Sequence, residues 1–445
     1  PRRAFQDAFL AVFEPDETGR SRLTNPVDVG TRIGLHVHGN SSARNPKPGY
    51  RVELRDEADQ DRAIELIGLP AESDFILKGP YQEDRTLIKN ALAFELSRQI
   101  GHYASRTRFV ELYARFTGGT SGAVSENHYR GVYVLTERIK ADENRVDIER
   151  LSSKQNTEPE VTGGYMFKID PPGSGFPFAT SHGSVFVLFE PDPPTSEQRT
   201  YIRNYVNDLE AALYGPNFTD PDIGYRAYID VESFINEYMI RYLAGQGFSN
   251  STYLFKDRGG KVGFGPPWDF NNAGFGSSGF GDFHPWYAQL FTDPDFTQQW
   301  VDRWQELRQS VFTADNITAT INGMAAELFE AQVRNFERWP QSKPYGGYEY
   351  QITSLTNRLA SGLERTDTRM LVPVSFNQQN GVVSVGFEAT LAAPEGTIYY
   401  TLDGSDPRAP GGNPSPQATV YTGEPILISE TTRIVARTNS FKAST

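Results

Sequence analysis

The stretch of this chain with the most chemical content runs from Gln246 to Ala273, QGFSNSTYLFKDRGGKVGFGPPWDFNNA. Two strand-like runs, STYLFKD and KVGFG, flank the turn RGG, and the second leads into Trp268, Asp269, Phe270 and Asn271. A carboxylate just behind a buried strand, followed by an aromatic and a small polar residue, is one way to hold Mg²⁺ against nucleotide phosphates. Mg²⁺ takes hard oxygen ligands, and one or two carboxylates suffice when phosphates supply the rest. Taken alone, the tripeptide WDF suits a turn cap equally well, and both readings of Asp269 stand.

Composition narrows the chemistry further. The 445 residues include no cysteine, which excludes disulfides, thiolate metal sites and cysteine nucleophiles and leaves the compartment open. A formal net charge of -13 argues against a nucleic-acid partner, which would want a basic surface. An acidic protein still binds ATP where a local pocket and a metal ion set the field. No apolar run approaches the roughly 20 residues that a membrane helix needs. The chain begins PRRAF, without an initiator methionine, so its first residues do not report targeting.

The elements that must position such a site divide the chain. Its length predicts two or more domains. FLAVFEP, RIGLHVHG and YRVELRD read as strands. A helix is predicted after Asp84, with Leu87, Ile88, Ala91, Leu92 and Leu96 on one face, Asp84 as cap and Gly101 as stop. FVELYARF and HYRGVYVLTERI read as a hairpin joined by TGGTSGAVSEN, and GGYMFKID and SVFVLFEP as two further strands. Thr195 and Gln198 have capping-box spacing ahead of a stripe at Ile202, Tyr205, Val206, Leu209 and Leu213. Further helices are predicted over 229–244, opened by Asp230, and around Ile317–Leu328 and Ile352–Leu363. From about Val372 short alternating strands with Pro/Gly turns predict a small all-β sandwich. The expected fold class is α+β: a two-lobed domain over 1–370, β-rich then α-rich, and a sandwich over 371–445.

Several segments, taken in order, resemble the CotH kinase family. They are GNSS at 39–42 with Lys47 and YRVEL, GPYQEDRTLIKNALAFELSRQIG at 79–101, GVYVLTERI at 131–139, GGYMFKID at 163–170, YIDVESFINEYMI at 228–240, and GKVGFGPPWDF at 260–270. The resemblance spans roughly residues 8 to 370. It implies an atypical kinase-like fold in a secreted or cell-surface bacterial protein, binding ATP with Mg²⁺ or Mn²⁺ and phosphorylating secreted or coat proteins. On it, Asp269 is the metal-binding Asp, with Asn250 as a second candidate ligand. Gly39, Asn40 and Ser41 would cover phosphates or simply close a tight turn. Lys47 would contact the α/β-phosphates or be a surface lysine. Glu95 would pair with Lys47 or be a solvated helix charge, and Glu137 would mark the hinge or be an ordinary surface acid. Lys168 and Asp170 would line the same cleft. The C-terminal run LAAPEGTIYYTLDGSDPR resembles the small β-sandwich at the end of chitobiase and β-hexosaminidase enzymes, which implies a carbohydrate or cell-surface contact.

One departure bears on catalysis. The family usually carries an Asp six residues before the position of Thr252, the catalytic Asp; here that residue is Gln246. An amide positions a hydroxyl by hydrogen bonding but cannot take its proton. The arginine often found before GNSS is His38. The chain is therefore expected to be a CotH-type kinase, active or inactive, with Gln246 natural or introduced. A pseudokinase that binds nucleotide or a partner without turnover is the alternative. Carbohydrate processing ranks last, because no pair of carboxylates stands out as an acid/base couple.

Overall fold

The computed structural model of the chain describes residues 4–116, 123–173, 175–248, 250–276 and 284–439. In the N-terminal half, alternating apolar residues build β1 (Gln6–Val12), β2 (Val29–His38), β3 (Gly49–Arg55), the short hairpin β4 (Ile64–Leu66) and β5 (Leu69–Glu72), β6 (Asp74–Lys78), β7 (Thr107–Tyr113) and β8 (Tyr129–Glu137). All but the short hairpin form one antiparallel sheet in the order β1-β2-β3-β6-β8-β7. On one face Val52, Leu54, Phe75, Leu77 and Leu135 pack with Leu66 and Leu69 of the hairpin. From the other face Ile76 and Val132 enter the main core. The β7–β8 hairpin forms as its alternation predicts, although residues 117–122 of its loop lie outside the described residues.

Between β6 and α1 (Lys89–Gln99) the chain turns sharply. Leu87 adopts φ +65°, so the helix starts at Lys89 rather than at the first residue of the apolar stripe. Asp84 still serves the helix start, accepting from the Thr86 N–H at 3.2 Å and the Lys89 N–H at 3.0 Å. Leu87, Ile88, Ala91, Leu92 and Leu96 are all buried, as their spacing requires.

A second antiparallel sheet follows, with β9 (Tyr165–Ile169), β10 (Phe176–Ala179), β11 (Val185–Glu190), β12 (Thr252–Lys256) and β13 (Val262–Phe264) in the order β10-β11-β9-β12-β13. Strand β10 lies in the Gly/Pro-rich stretch between β9 and β11. Pairing with β11 makes it a strand.

The helices are α2 (Ser196–Tyr214), α3 (Val231–Ala244), α4 (Pro285–Leu290), α5 (Pro294–Arg308), α6 (Ala314–Glu327), α7 (Ala331–Arg338) and α8 (Tyr348–Asp367). Thr195 and Gln198 form the capping box of α2. Asp230 caps α3 by accepting from the Glu232 N–H, and Gly245 at φ +63° ends it. The α4, α5 and α7 helices go beyond what the sequence reading predicts, yet Phe296, Trp300, Trp304 and Leu307 give α5 a helical stripe.

After α8 come three small sheets: Ser375–Phe376 with Leu391–Ala392, Phe387–Ala389 with Ile426–Ile428, and Thr397–Thr401 between Thr419–Val420 and Val435–Asn439. Ala389, Leu391, Ile398 and Ile426 are their core. Arg437 ties this part to α5 through both oxygens of Asp302, at 2.6 and 2.7 Å. The final FKAST lies outside the described residues. The fold is α+β, β-rich first and helical later, with small sheets at the C-terminus.

Candidate active site

The site is assembled where the end of α3 meets the turn after β13. At that end, the Gly245 N–H donates to Tyr242 O and the Gln246 N–H to Arg241 O, which closes the helix and turns the chain outward. Arg241 fixes the same loop from beneath. Its guanidinium bonds Glu237 at 2.6 Å and Gly247 O at 3.1 Å, and stands 5.7 Å from the Phe270 ring. Glu237 also meets His102 Nε2 at 3.2 Å, so the buried carboxylate has partners on both sides.

Asp269 itself adopts φ +66°, which is uncommon for any residue other than glycine. The surroundings determine that conformation. Trp268 stacks on Phe94 at 5.6 Å, and Phe270 meets the edge of the same ring at 6.2 Å. The Phe270 N–H donates to Asn90 Oδ1 at 3.0 Å, and Asn90 Nδ2 donates to Asn271 Oδ1 at 2.7 Å. Asn271 Nδ2 then donates to Asp269 Oδ1 at 2.7 Å. Lys89 Nζ grips Asn271 O at 3.1 Å and Glu83 O at 2.9 Å. A half-buried carboxylate is thus held on a turn clamped by α1.

Gln246 meets Asp269 directly, its Nε2 donating to Asp269 O at 2.8 Å. Oε1, the one acceptor of the Gln246 side chain, is not engaged by that bond. The position of the expected base therefore lies against the backbone of the candidate metal-binding residue.

The cationic wall comes from a residue that sequence reasoning missed. Lys78 ends β6 with its Nζ 3.8 Å from the Trp268 ring centroid and 3.5 Å from Asn90 Oδ1. Burial lowers its pKa to about 8, and the charge of Asp269 works against that fall. Its only sequence signal is a lysine closing the apolar strand DFILK. Nearby, Lys168 pairs with Asp170 at 2.6 Å and stands 5.5 Å from the Tyr253 ring, which in turn meets Trp268 edge-on. His38, at the end of β2, has its pKa lowered to about 3 by burial, reinforced by the charges of Lys78, His36, Lys168 and Arg51. It stays neutral among those cations.

The remaining candidates sit as follows. Gly39 has φ +97°, and a Cβ there would come within 2.2 Å of Ser42 Oγ, so the turn requires glycine. Asn40 and Ser41 are exposed on that turn, next to His38. Lys47 is not on the surface. It is 1% exposed, donating to Pro80 O at 3.0 Å and to Asn335 Oδ1 of α7 at 2.8 Å. Burial lowers its pKa to about 7, against the charges of Asp84 and Glu83. The implied Lys47–Glu95 pair is not formed, because Glu95 bonds Arg98 at 2.5 Å and Gln99 at 3.0 Å on its own helix. Glu137 is no surface acid. It is fully buried and bonded by the Arg106 N–H at 2.8 Å and Arg106 Nε at 3.0 Å. Asn250 is exposed on the bend before β12.

Among the described residues no three His, Asp or Glu side chains form a ready-made metal cluster. The donor set still suits a hard divalent ion bound together with phosphates. Asp269 Oδ2 accepts no hydrogen bond among the described residues, and half-buried Glu83 lies near enough to feel its charge. Burial raises the Glu83 pKa, and Asp84 and Asp269 add to the rise. A carboxylate oxygen left without a hydrogen bond is the hard kind of ligand that such a cation takes.

A model of the CotH kinase protein family matches residues 35–361, and a model described as Fn3 associated matches residues 389–444. No curated protein was found to match the chain.

Proposed function

The chain belongs to the CotH kinase protein family, and from that premise we propose that it transfers the γ-phosphoryl group of ATP to a hydroxyl of a secreted or coat protein, slowly because of Gln246. The observation that carries this reading is that Gln246 bonds the Asp269 backbone while Lys78 lies close enough to feel the Asp269 charge. Asp269 and Glu83 would hold the divalent ion, with Asn250 within the same loop region as a further oxygen donor. That ion would neutralise phosphate charge and polarise the transferring group. Lys78 would meet phosphate oxygens from the sheet side, where burial lowers its pKa against the charge of Asp269. Lys168 and neutral His38 would border the same anion. Gln246 Oε1 can accept a hydrogen bond from an incoming hydroxyl and orient it. The proton must then leave with the transferred group or to water, because an amide has no useful basicity.

Gln246 also favours a second reading, a nucleotide-binding domain without turnover. The same family resemblance supports a place outside the cell or at its surface, with the C-terminal sheets as a tether to partners or carbohydrate. Transfer of labelled γ-phosphate to a generic acceptor by the parent and by Gln246→Asp separates the two. Phosphotransfer predicts a low parent rate raised about a hundredfold or more by the new carboxylate, the usual worth of a general base. No label moved by either protein supports the binding reading and overturns catalysis.

A further inference from the structure

The face of α8 turned away from the core carries Tyr350, Thr353, Asn357, Ser361 and Arg365, recurring at helical spacing. With Ser354, Arg358 and the backbone of Gly276 it lines a groove of about 350 Å³. This groove borders the segment that leaves the candidate site. Arg358 Nε donates to Gly274 O at 3.3 Å, and Arg365 donates to Gly276 O. The Phe275 and Gly276 N–H groups donate to Ala244 O and Leu243 O, at the end of α3 from which the Gln246 loop departs. One short backbone segment therefore joins the groove to both Asp269 and Gln246.

The chemistry of the groove is one-sided. It holds two guanidinium groups, four hydroxyls (Tyr350, Thr353, Ser354 and Ser361) and an amide, and among the described residues no acid lines it. Among the described residues neither arginine meets a carboxylate. Arg358 engages only Nε and Nη1, the latter with Ser354 Oγ at 2.7 Å, and Arg365 engages one nitrogen. Guanidinium donors left over in a fork suit a planar oxyanion. Tyr350 at 57% exposure and the neighbouring Tyr345 at 87% add aromatic surface at one end. The chain as a whole carries a net charge of -13, so its general surface repels anions and this local patch stands out against it.

We propose that this groove docks the acceptor polypeptide and selects acceptors that carry an oxyanion, a carboxylate or a phosphate, near the hydroxyl to be phosphorylated. The proposal rests on the phosphotransfer reading above and names its substrate class. Arg358 and Arg365 also tether residues 274–276, so the test must separate docking from tethering. Thr353→Glu with Asn357→Glu does so: both side chains line the groove, are exposed and hold no tether.

Fluorescence anisotropy of the full chain with labelled peptides, identical except for Asp, phosphoserine or Lys beside a single Ser, reads the selectivity directly. The Asp or phosphoserine peptide should bind at least about tenfold tighter than the Lys peptide, and whichever is tighter identifies the source of the oxyanion. Thr353→Glu/Asn357→Glu should weaken anionic peptides about tenfold, and Arg358→Lys/Arg365→Lys, which keeps the charge but removes the fork, should lower the preference about threefold. A Lys peptide that binds as tightly as the anionic ones, or a Glu double variant that binds them unchanged, overturns the proposal. Calorimetry with MgATP on the same proteins keeps the two ideas apart. MgATP binding without peptide selectivity sinks the groove alone, and selectivity without MgATP binding sinks the phosphotransfer reading while the groove stands.

Discussion

Replacing Lys78 by methionine should weaken nucleotide binding and at the same time stabilise the fold. The lysine ends β6 over the Trp268 ring, and burial lowers its pKa from the ordinary 10.5 to about 8 despite Asp269. At roughly 1.4 kcal/mol per unit, that shift amounts to at most about 3 kcal/mol of unfavourable charge burial at neutral pH. Lys78 is half-buried, so solvent screens part of this, and its contact with the Trp268 ring returns ~1–2 kcal/mol. The net penalty is ~1 kcal/mol, and methionine of similar length should raise Tm by about one or two degrees. The folded lysine releases its proton near pH 8, whereas the unfolded chain keeps it to 10.5. The unfolded state binds more protons in that window, so parental stability should rise across it and the methionine variant should lack the rise. Bound phosphates would supply the missing counter-charge, so loss of the contact should cost ~1.5–3 kcal/mol, or roughly 10- to 100-fold in Kd. Calorimetric titration with MgATP at pH 7, paired with a thermal melt, measures both effects. A methionine variant that binds within about threefold of the parent, or melts several degrees lower, would refute this assignment.

Glu83→Gln should weaken Mn²⁺-dependent ATP binding by about three- to tenfold and leave metal-free binding unchanged, as a metal-dependence titration would show. Asn335→Leu removes the acceptor of Lys47 Nζ and of the Val132 N–H and should cost about 3 kcal/mol in urea unfolding, with MgATP affinity little changed. Burial lowers the pKa of His284 from 6.5 to about 4, so the unfolded chain takes up a proton in this window that the folded chain refuses. Its contribution, at most about 3 kcal/mol, is present above pH 6.5 and lost as pH falls toward 4; His284→Asn should flatten that part of the stability curve.

Much of the fold was legible because local signals decide it. Alternation marks β2, β3 and β8, Asp230 and Gly245 bound α3, and the Thr195 capping box opens α2. Asp269 and Gln246 could be read as neighbours only because family resemblance supplied the register between distant segments. That Lys47 is buried rather than a surface lysine is not legible, because its partner Asn335 lies on α7, 288 residues away, on a helix that the pattern reading does not include. Lys78 escaped notice for the same reason: nothing on β6 tells that Trp268 will lie beneath it. The Glu95–Arg98 and Glu95–Gln99 spacings, by contrast, were visible in the sequence and outcompete a long-range partner.

The central claim is that Asp269 holds a divalent ion together with ATP. Titration calorimetry of ATP into the full chain, with and without Mg²⁺, and into Asp269→Asn tests it most directly. The account predicts binding that depends on Mg²⁺ and weakens at least about tenfold in Asp269→Asn. Equal affinity in parent and variant, or no ATP binding to the parent in Mg²⁺ or Mn²⁺, would contradict it.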